Sequence, residues 1–150
     1  MNMNRMYALI GIGLIGAGFT AAQADPTTYH LSQDRYIASG NAALEEGRLE
    51  DALTSFRKAV KKNITARERT VTLNSICAVE NILGNAEAAV EACDAAIAAD
   101  DGYWKAYVNR GNARAALGNH EGAIEDYCRA NDISPSQVSG TFEARCNAQS

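Results

Sequence analysis

From residue 33 to residue 137, apolar residues recur every three to four positions, in stretches of about three to four helical turns broken by glycine. No stretch alternates between apolar and polar residues as a half-buried strand would, and proline occurs only at Pro26 and Pro135. The periodicity predicts helices in pairs: 32–46 with 49–62, 66–83 with 86–99, and 103–117 with 120–132. Gly47, Gly84 and Gly118 stand at the turn within each pair, where a left-handed backbone is cheap for glycine. Thr65 and Glu68 have the spacing of a capping box, so the third helix is expected to start there. Pro135 ends the pattern, and a short helix is expected over 141–147.

The pairs echo one another. Gly84, Ala89 and Ala96 recur 34 residues later as Gly118, Ala123 and Ala130, and Gly47, Ala52 and Ala59 precede them by 37. A period of this size marks stacked units that cannot bury their apolar faces alone. The repeated residues have a packing reason. In each second helix, Ala52, Phe56 and Ala59, then Ala89, Cys93 and Ala96, then Ala123, Tyr127 and Ala130 share one face. In the first helices, Tyr36 with Gly40 and Tyr107 with Gly111 supply a matching large–small pattern.

The N-terminus changes the picture. One positive charge in 1–5, an apolar run from Met6 to Phe19 and the small-x-small site Ala22-Gln23-Ala24 read as a secretory signal peptide over 1–24. The run is short for a membrane span; a retained N-terminal anchor is the alternative. No cysteine follows it, which argues against a lipoprotein. Residues 25–32 read as a linker. Removing the leader takes away one of the 14 Lys/Arg and none of the 18 Asp/Glu, moving the net charge from −4 to −5. That balance argues against nucleic-acid binding, which rests on neutralising phosphates. The one basic cluster, Arg57, Lys58, Lys61, Lys62, Arg67 and Arg69, reads either as a solvated face complementing a helix dipole or as a site for an acidic partner. The four cysteines, Cys77, Cys93, Cys128 and Cys146, lie behind the leader, as two disulfides would. With no C-x-x-C pair and only His30 and His120 to assist, metal binding and thioredoxin-type chemistry are not supported.

These motifs resemble tandem tetratricopeptide repeats. Tyr107, Gly111, Ala123, Tyr127, Ala130 and Pro135 match the family's pattern in the third unit, and Tyr36, Gly40, Ala52, Phe56 and Ala59 match it in the first. The second unit keeps Ala89 and Ala96 and departs from the pattern at Leu73, Cys77 and Cys93. The resemblance implies an all-α fold: a right-handed α-solenoid of three helix-turn-helix units, over about 33–66, 67–103 and 104–137, followed by a capping helix and tail over 138–150. It also implies a disulfide assignment. Cys77 takes the glycine position and Cys93 the aromatic position of two helices that face each other, which pairs them. Phe142 and Cys146 are spaced like Leu73 and Cys77, as the stub of a fourth unit, which leaves Cys128 to pair with Cys146.

In this family the first helices line a concave groove. Here the resemblance places Ile37, Asn41 and Leu44 in it from the first unit, Asn74 and Asn81 from the second, and Lys105, Val108, Asn109 and Asn112 from the third. Asn amides can hold a peptide backbone as donor and acceptor, or simply solvate an exposed helix face. Some members grip a C-terminal carboxylate with a Lys/Asn/Arg set. Asn41 and Lys105 match that set, whereas Ile37, Ser75 and Asn109 depart from it, leaving too little positive charge. Tyr103 and Trp104 are expected to pack between repeats. No nucleophile–base pattern or phosphate loop is present in the sequence. The expected function is therefore a non-catalytic adaptor or assembly factor, periplasmic or secreted. It would need no cofactor or metal, would bind a protein or peptide but no nucleic acid or membrane, and would be a monomer or weak homo-oligomer. A self-assembling structural protein is the alternative.

Overall fold

The computed structural model describes residues 34–137 together with Cys146. The expected leader over 1–24, the linker over 25–32 and, Cys146 apart, the C-terminal helix over 141–147 lie outside the described residues. Six helices and no strand are present among them: α1 (Arg35–Glu45), α2 (Leu49–Ala59), α3 (Ala66–Leu83), α4 (Ala86–Ala99), α5 (Trp104–Ala116) and α6 (His120–Ile133). Each helix packs on the next, and α3 also packs on α5. The fold is an α-solenoid.

Each helix pair turns in the same way. Gly47, Gly84 and Gly118 have φ of 72°, 79° and 80°. The residue after each glycine donates its amide five residues back: Arg48 to Ala43 O at 2.8 Å, Asn85 to Glu80 O at 2.9 Å and Asn119 to Arg114 O at 2.8 Å. These are Schellman closures, which satisfy carbonyls left over at the helix end. At the start of α3, Thr65 Oγ1 accepts from the Glu68 amide at 3.2 Å, and Glu68 Oε2 accepts from the Thr65 amide at 2.9 Å. α2 ends at Ala59, three residues before the end expected from its sequence. The backbone there tightens, with Lys62 N donating to Ala59 O at 2.9 Å. Arg69 of α3 then takes the Val60 and Lys62 carbonyls at 2.6 and 3.1 Å.

Within each pair the helices meet at one close seam. A Cβ added at Gly40 would overlap the Phe56 ring, and one added at Gly111 would lie 2.7 Å from Tyr127 Cε1. In the middle pair the same two places are occupied by Cys77 and Cys93, both fully buried and joined by a disulfide with their Cα atoms 5.3 Å apart. Cys128 is joined to Cys146 with a Cα separation of 5.4 Å. Around the first seam, Ala43, Ala52, Leu53, Phe56, Ile76 and Val79 form the largest buried apolar cluster. Cys77, Ala89, Cys93 and Ala113 form the next one.

The joints between pairs are polar, and the sequence did not single them out. Glu80, 1% exposed, receives Arg57 of α2 and, at 2.8 Å, the side-chain amide of Asn85. At the second joint Arg110 of α5 reaches Asp94 of α4, and within the third pair it is held by Asp126 of α6, 2% exposed, at 3.0 and 2.6 Å, with Arg114 3.1 Å from the same carboxylate. The Asp126 carboxylate, ahead of Asp94, pushes the Arg110 guanidinium further above its ordinary range, so it stays charged. Arg57 and Asp94 occupy equivalent places 37 residues apart. The first joint is thus cation to anion, and the second is anion to cation.

Two outcomes test the seam. Gly40→Ala should lose about 1–3 kcal/mol of stability through overpacking against Phe56. Cys77→Ala/Cys93→Ala should lose about 3 kcal/mol from loop entropy alone, and Cys77→Gly/Cys93→Phe should recover part of it by restoring the ring-on-glycine contact. Urea unfolding midpoints of the oxidised proteins measure both, and equal midpoints for the two double variants would refute the equivalence of the seams.

Candidate protein-interaction face

The first helices of the pairs, α1, α3 and α5, carry the residues that the sequence placed in a groove. Two opposed needs act on them. The core takes every third or fourth side chain, and the residues between are left to solvent or to a neighbouring helix. In α1, Ile37 is buried, Leu44 is half-buried against the first core cluster, and Asn41 is exposed. In α5, Val108 is partly buried beside Tyr107, Trp104 and Ile133, whereas Lys105 and Asn112 are exposed. Trp104 packs in the same cluster, between α4 and α6 residues.

The asparagines divide into two kinds. Asn74 is 9% exposed, and its Oδ1 accepts from Asn109 Nδ2 at 2.9 Å. Asn81 Nδ2 donates to the Asn109 carbonyl at 2.8 Å. These three therefore bind α3 to α5, using in an internal contact the same amide chemistry that would otherwise meet a peptide. Asn41 and Asn112 are exposed. Asn112 Oδ1 accepts from the Tyr127 hydroxyl at 2.8 Å, which leaves its amide hydrogens directed elsewhere. Burial, then the Asp126 charge, pushes the Tyr127 phenol above its ordinary value, so it stays protonated as that donor.

Two further features mark the face. Ile82 is 66% exposed and Val71 39%, two of the three exposed large apolar side chains among the described residues. Both lie on α3, 11 residues apart, three helical turns along one stripe. An exposed β-branched side chain carries no sequence mark that separates it from a core one at the same spacing. The second feature is an open cleft of about 690 Å³, lined by Ala66, Arg67, Thr70, Val71, Ala99, Asp100, Tyr103 and Lys105. It sits where α3 begins, α4 ends and α5 begins. Burial pushes the Tyr103 phenol above its ordinary value, with Arg67 opposing and Asp100 adding to the rise. Thr70 Oγ1 is turned onto the Ala66 carbonyl at 3.2 Å and Asp100 Oδ1 onto the Gly102 amide at 3.0 Å. The remaining donors of the cleft are therefore Arg67, Lys105 and the Tyr103 hydroxyl. Among the described residues, no group of three or more His, Cys, Asp or Glu is placed to hold a metal ion.

Comparison with known proteins agrees with this architecture. Residues 83–137 match the family model of the tetratricopeptide repeat. The FK506-binding protein-like protein of Homo sapiens is 32% identical over 103 residues, covering 65% of this chain and 30% of that protein. The chain thus spans under a third of the length of that relative. Among solved structures, the first tetratricopeptide domain of Spaghetti (RPAP3), bound to the HSP90 peptide SRMEEVD, superposes with a TM-score of 0.66 at 24% identity, covering 77% of this chain and 90% of that one. PcrH, in complex with the chaperone-binding region of PopD, superposes with a TM-score of 0.65 at 16% identity, covering 86% and 96%. At these identities the likeness concerns the fold, which is that of a tetratricopeptide-repeat solenoid.

The two kinds of asparagine give separable outcomes. Asn109→Ala strands the buried Asn74 amide and should cost about 1–3 kcal/mol of stability. Asn41→Ala alters an exposed site and should stay within about 0.5 kcal/mol. Chemical denaturation of the two variants side by side measures the difference, and equal losses would remove the distinction.

Proposed function

We propose that this chain is a non-catalytic protein-interaction module of the bacterial envelope, an adaptor or assembly factor that holds an extended or helical segment of a partner along the α1–α3–α5 face. The observation that carries this reading is the exposed stripe of Val71 and Ile82 on α3, beside the exposed Lys105 and Asn112 of α5, which packs on α3; Asn41 is the exposed amide of the first unit. Apolar side chains of that size in water favour a partner that covers them. The exposed amides supply donors and acceptors for its backbone, and the Val71 end of the stripe opens into the cleft that Lys105 also lines.

Support also comes from proteins of the same fold. The RPAP3 domain holds an HSP90 peptide and PcrH holds a segment of PopD, so this solenoid geometry suits short segments of other proteins. The proposed export rests on the leader-like residues 1–24. The two disulfides are consistent with it, since such bonds persist in oxidising compartments. Monomeric or weakly associating behaviour is part of the same proposal.

Ile82→Asp/Asn112→Ala should abolish recovery of the partner when the oxidised protein is crosslinked in a native envelope fraction and purified. Its stability should fall by no more than about 1 kcal/mol, since Ile82 is exposed and Asn112→Ala gives up only the exposed bond from the Tyr127 hydroxyl. An unchanged partner profile would sink the face assignment, and loss of the leader-dependent fractionation would sink the location.

A further inference from the structure

The basic cluster seen in the sequence separates, in the fold, into two groups with different duties. Arg57 is engaged by the buried Glu80, and Arg69 by the carbonyls that end α2. These two are structural. Lys58, Lys61 and Lys62 are exposed, as is Arg35 at the opposite helix end of the same pair, and none of the four meets a carboxylate among the described residues. Asp34, the carboxylate nearest in sequence to Arg35, is turned onto the Tyr36 amide at 2.8 Å.

Three of these cations converge on one ring. The Arg35 guanidinium carbon lies 4.8 Å from the Tyr36 centroid, Lys62 Nζ 5.7 Å and Lys58 Nζ 5.9 Å. Arg35 also donates to the Tyr36 hydroxyl at 3.0 Å. That bond first, then the charges of Arg35, Lys62 and Lys58, draw the Tyr36 phenol below its ordinary value. The ring face offers each cation a weak attraction, about 0.5–1 kcal/mol at an exposed site. It does not cancel the repulsion among them. An anionic oxygen placed beside the Tyr36 hydroxyl would meet several cations at once.

We propose that this edge of the first helix pair, built on Tyr36 with Arg35, Lys58, Lys61 and Lys62, is a second docking surface, which takes an acidic segment of a partner protein. Charge complementarity points to an acid, and the scale and surroundings of the patch point to a protein segment. The chain as a whole carries a net charge of −4, which opposes a broad anionic surface such as a bilayer or a duplex, while a local patch of four cations suits a few carboxylates in a row. The exposed large apolar side chains of the described residues are Val71, Ile82 and Leu117, so α1 and α2 offer none to insert among acyl chains. The surface shares none of its five residues with the face assigned to the apolar partner segment, so the two can be occupied independently.

The test uses the oxidised protein and a fluorescein-labelled octaglutamate peptide, followed by anisotropy at low salt. Binding should saturate, weaken as salt is added, and fall by at least about tenfold in Lys58→Gln/Lys62→Gln. Arg48→Gln/Arg129→Gln, an equal change of net charge at exposed sites outside both surfaces, should hold the affinity within about twofold. The ring resonances of Tyr36 should shift during the titration, which a diffuse attraction would not produce. The inference is overturned if the two double variants lose affinity equally, if the Tyr36 signals stay fixed, or if the protein sediments with phosphatidylglycerol vesicles while ignoring the peptide. Because Ile82→Asp/Asn112→Ala leaves this edge intact, it should bind the peptide as the parent does, and loss there would also count against a separate surface.

Discussion

The close approach of the two helices within each pair is the constraint on which the rest of the structure depends. It is achieved by removing a side chain from one helix so that a ring from the other can occupy its place: Phe56 over Gly40 and Tyr127 over Gly111. In the middle pair the ring and the vacancy are both replaced, and a covalent bond between Cys77 and Cys93 spans the gap. The two devices do the same geometric work by different physics. Ring-on-glycine contact is dispersion and apolar burial, which require the helices to be folded already. A disulfide acts largely on the unfolded chain, by restricting what it can explore. Placing the covalent version in the central unit stiffens the unit that both neighbours lean on.

The joints between pairs follow another rule. Where the seams within pairs are apolar, the neighbouring units are bound through charged and amide groups: the buried Glu80 with Arg57, Arg110 with Asp94, and the Asn74–Asn109–Asn81 set. Such groups add little net stability when satisfied and cost a good deal when one partner is lost, so they favour one arrangement over near alternatives. For the face formed by α3 and α5 this matters directly. The amides of Asn74, Asn81 and Asn109 hold the two helices at a fixed spacing and so set the distance between Ile82 and Asn112, which would meet a bound segment.

Much of this was legible in the sequence because a repeat samples each position three times. The glycine turns, the capping box at Thr65 and Glu68 and the limits of α3 and α4 follow from local chemistry that does not need a partner. The seam was legible because Gly40 and Phe56, Gly111 and Tyr127, Cys77 and Cys93 substitute for one another in register. The asparagines were less so. An Asn on the outward side of a helix reads the same whether it faces water or the next helix, and only the position of α5 shows that Asn74 is covered while Asn41 is not. Glu80 and Asp126 escaped for a related reason: a charged residue suggests a surface, and its burial is decided by an arginine on another helix. The basic cluster shows the reverse case, in which one sequence feature was two, with Arg57 and Arg69 held in the frame and the lysines left outward.

The opposite polarity of the two joints has a consequence for evolution and engineering of the array. At the first joint the second helix presents Arg57 to the incoming Glu80; at the second it presents Asp94 to Arg110. A repeat array is often treated as a string of interchangeable beads. In this one each bead has a keyed coupling. A third unit spliced directly onto the first would bring Arg57 against Arg110, and a second unit duplicated in place would set Asp94 facing Glu80. The units therefore carry their serial order in the sign of their charges, so the chain resists shuffling even where its helices are alike.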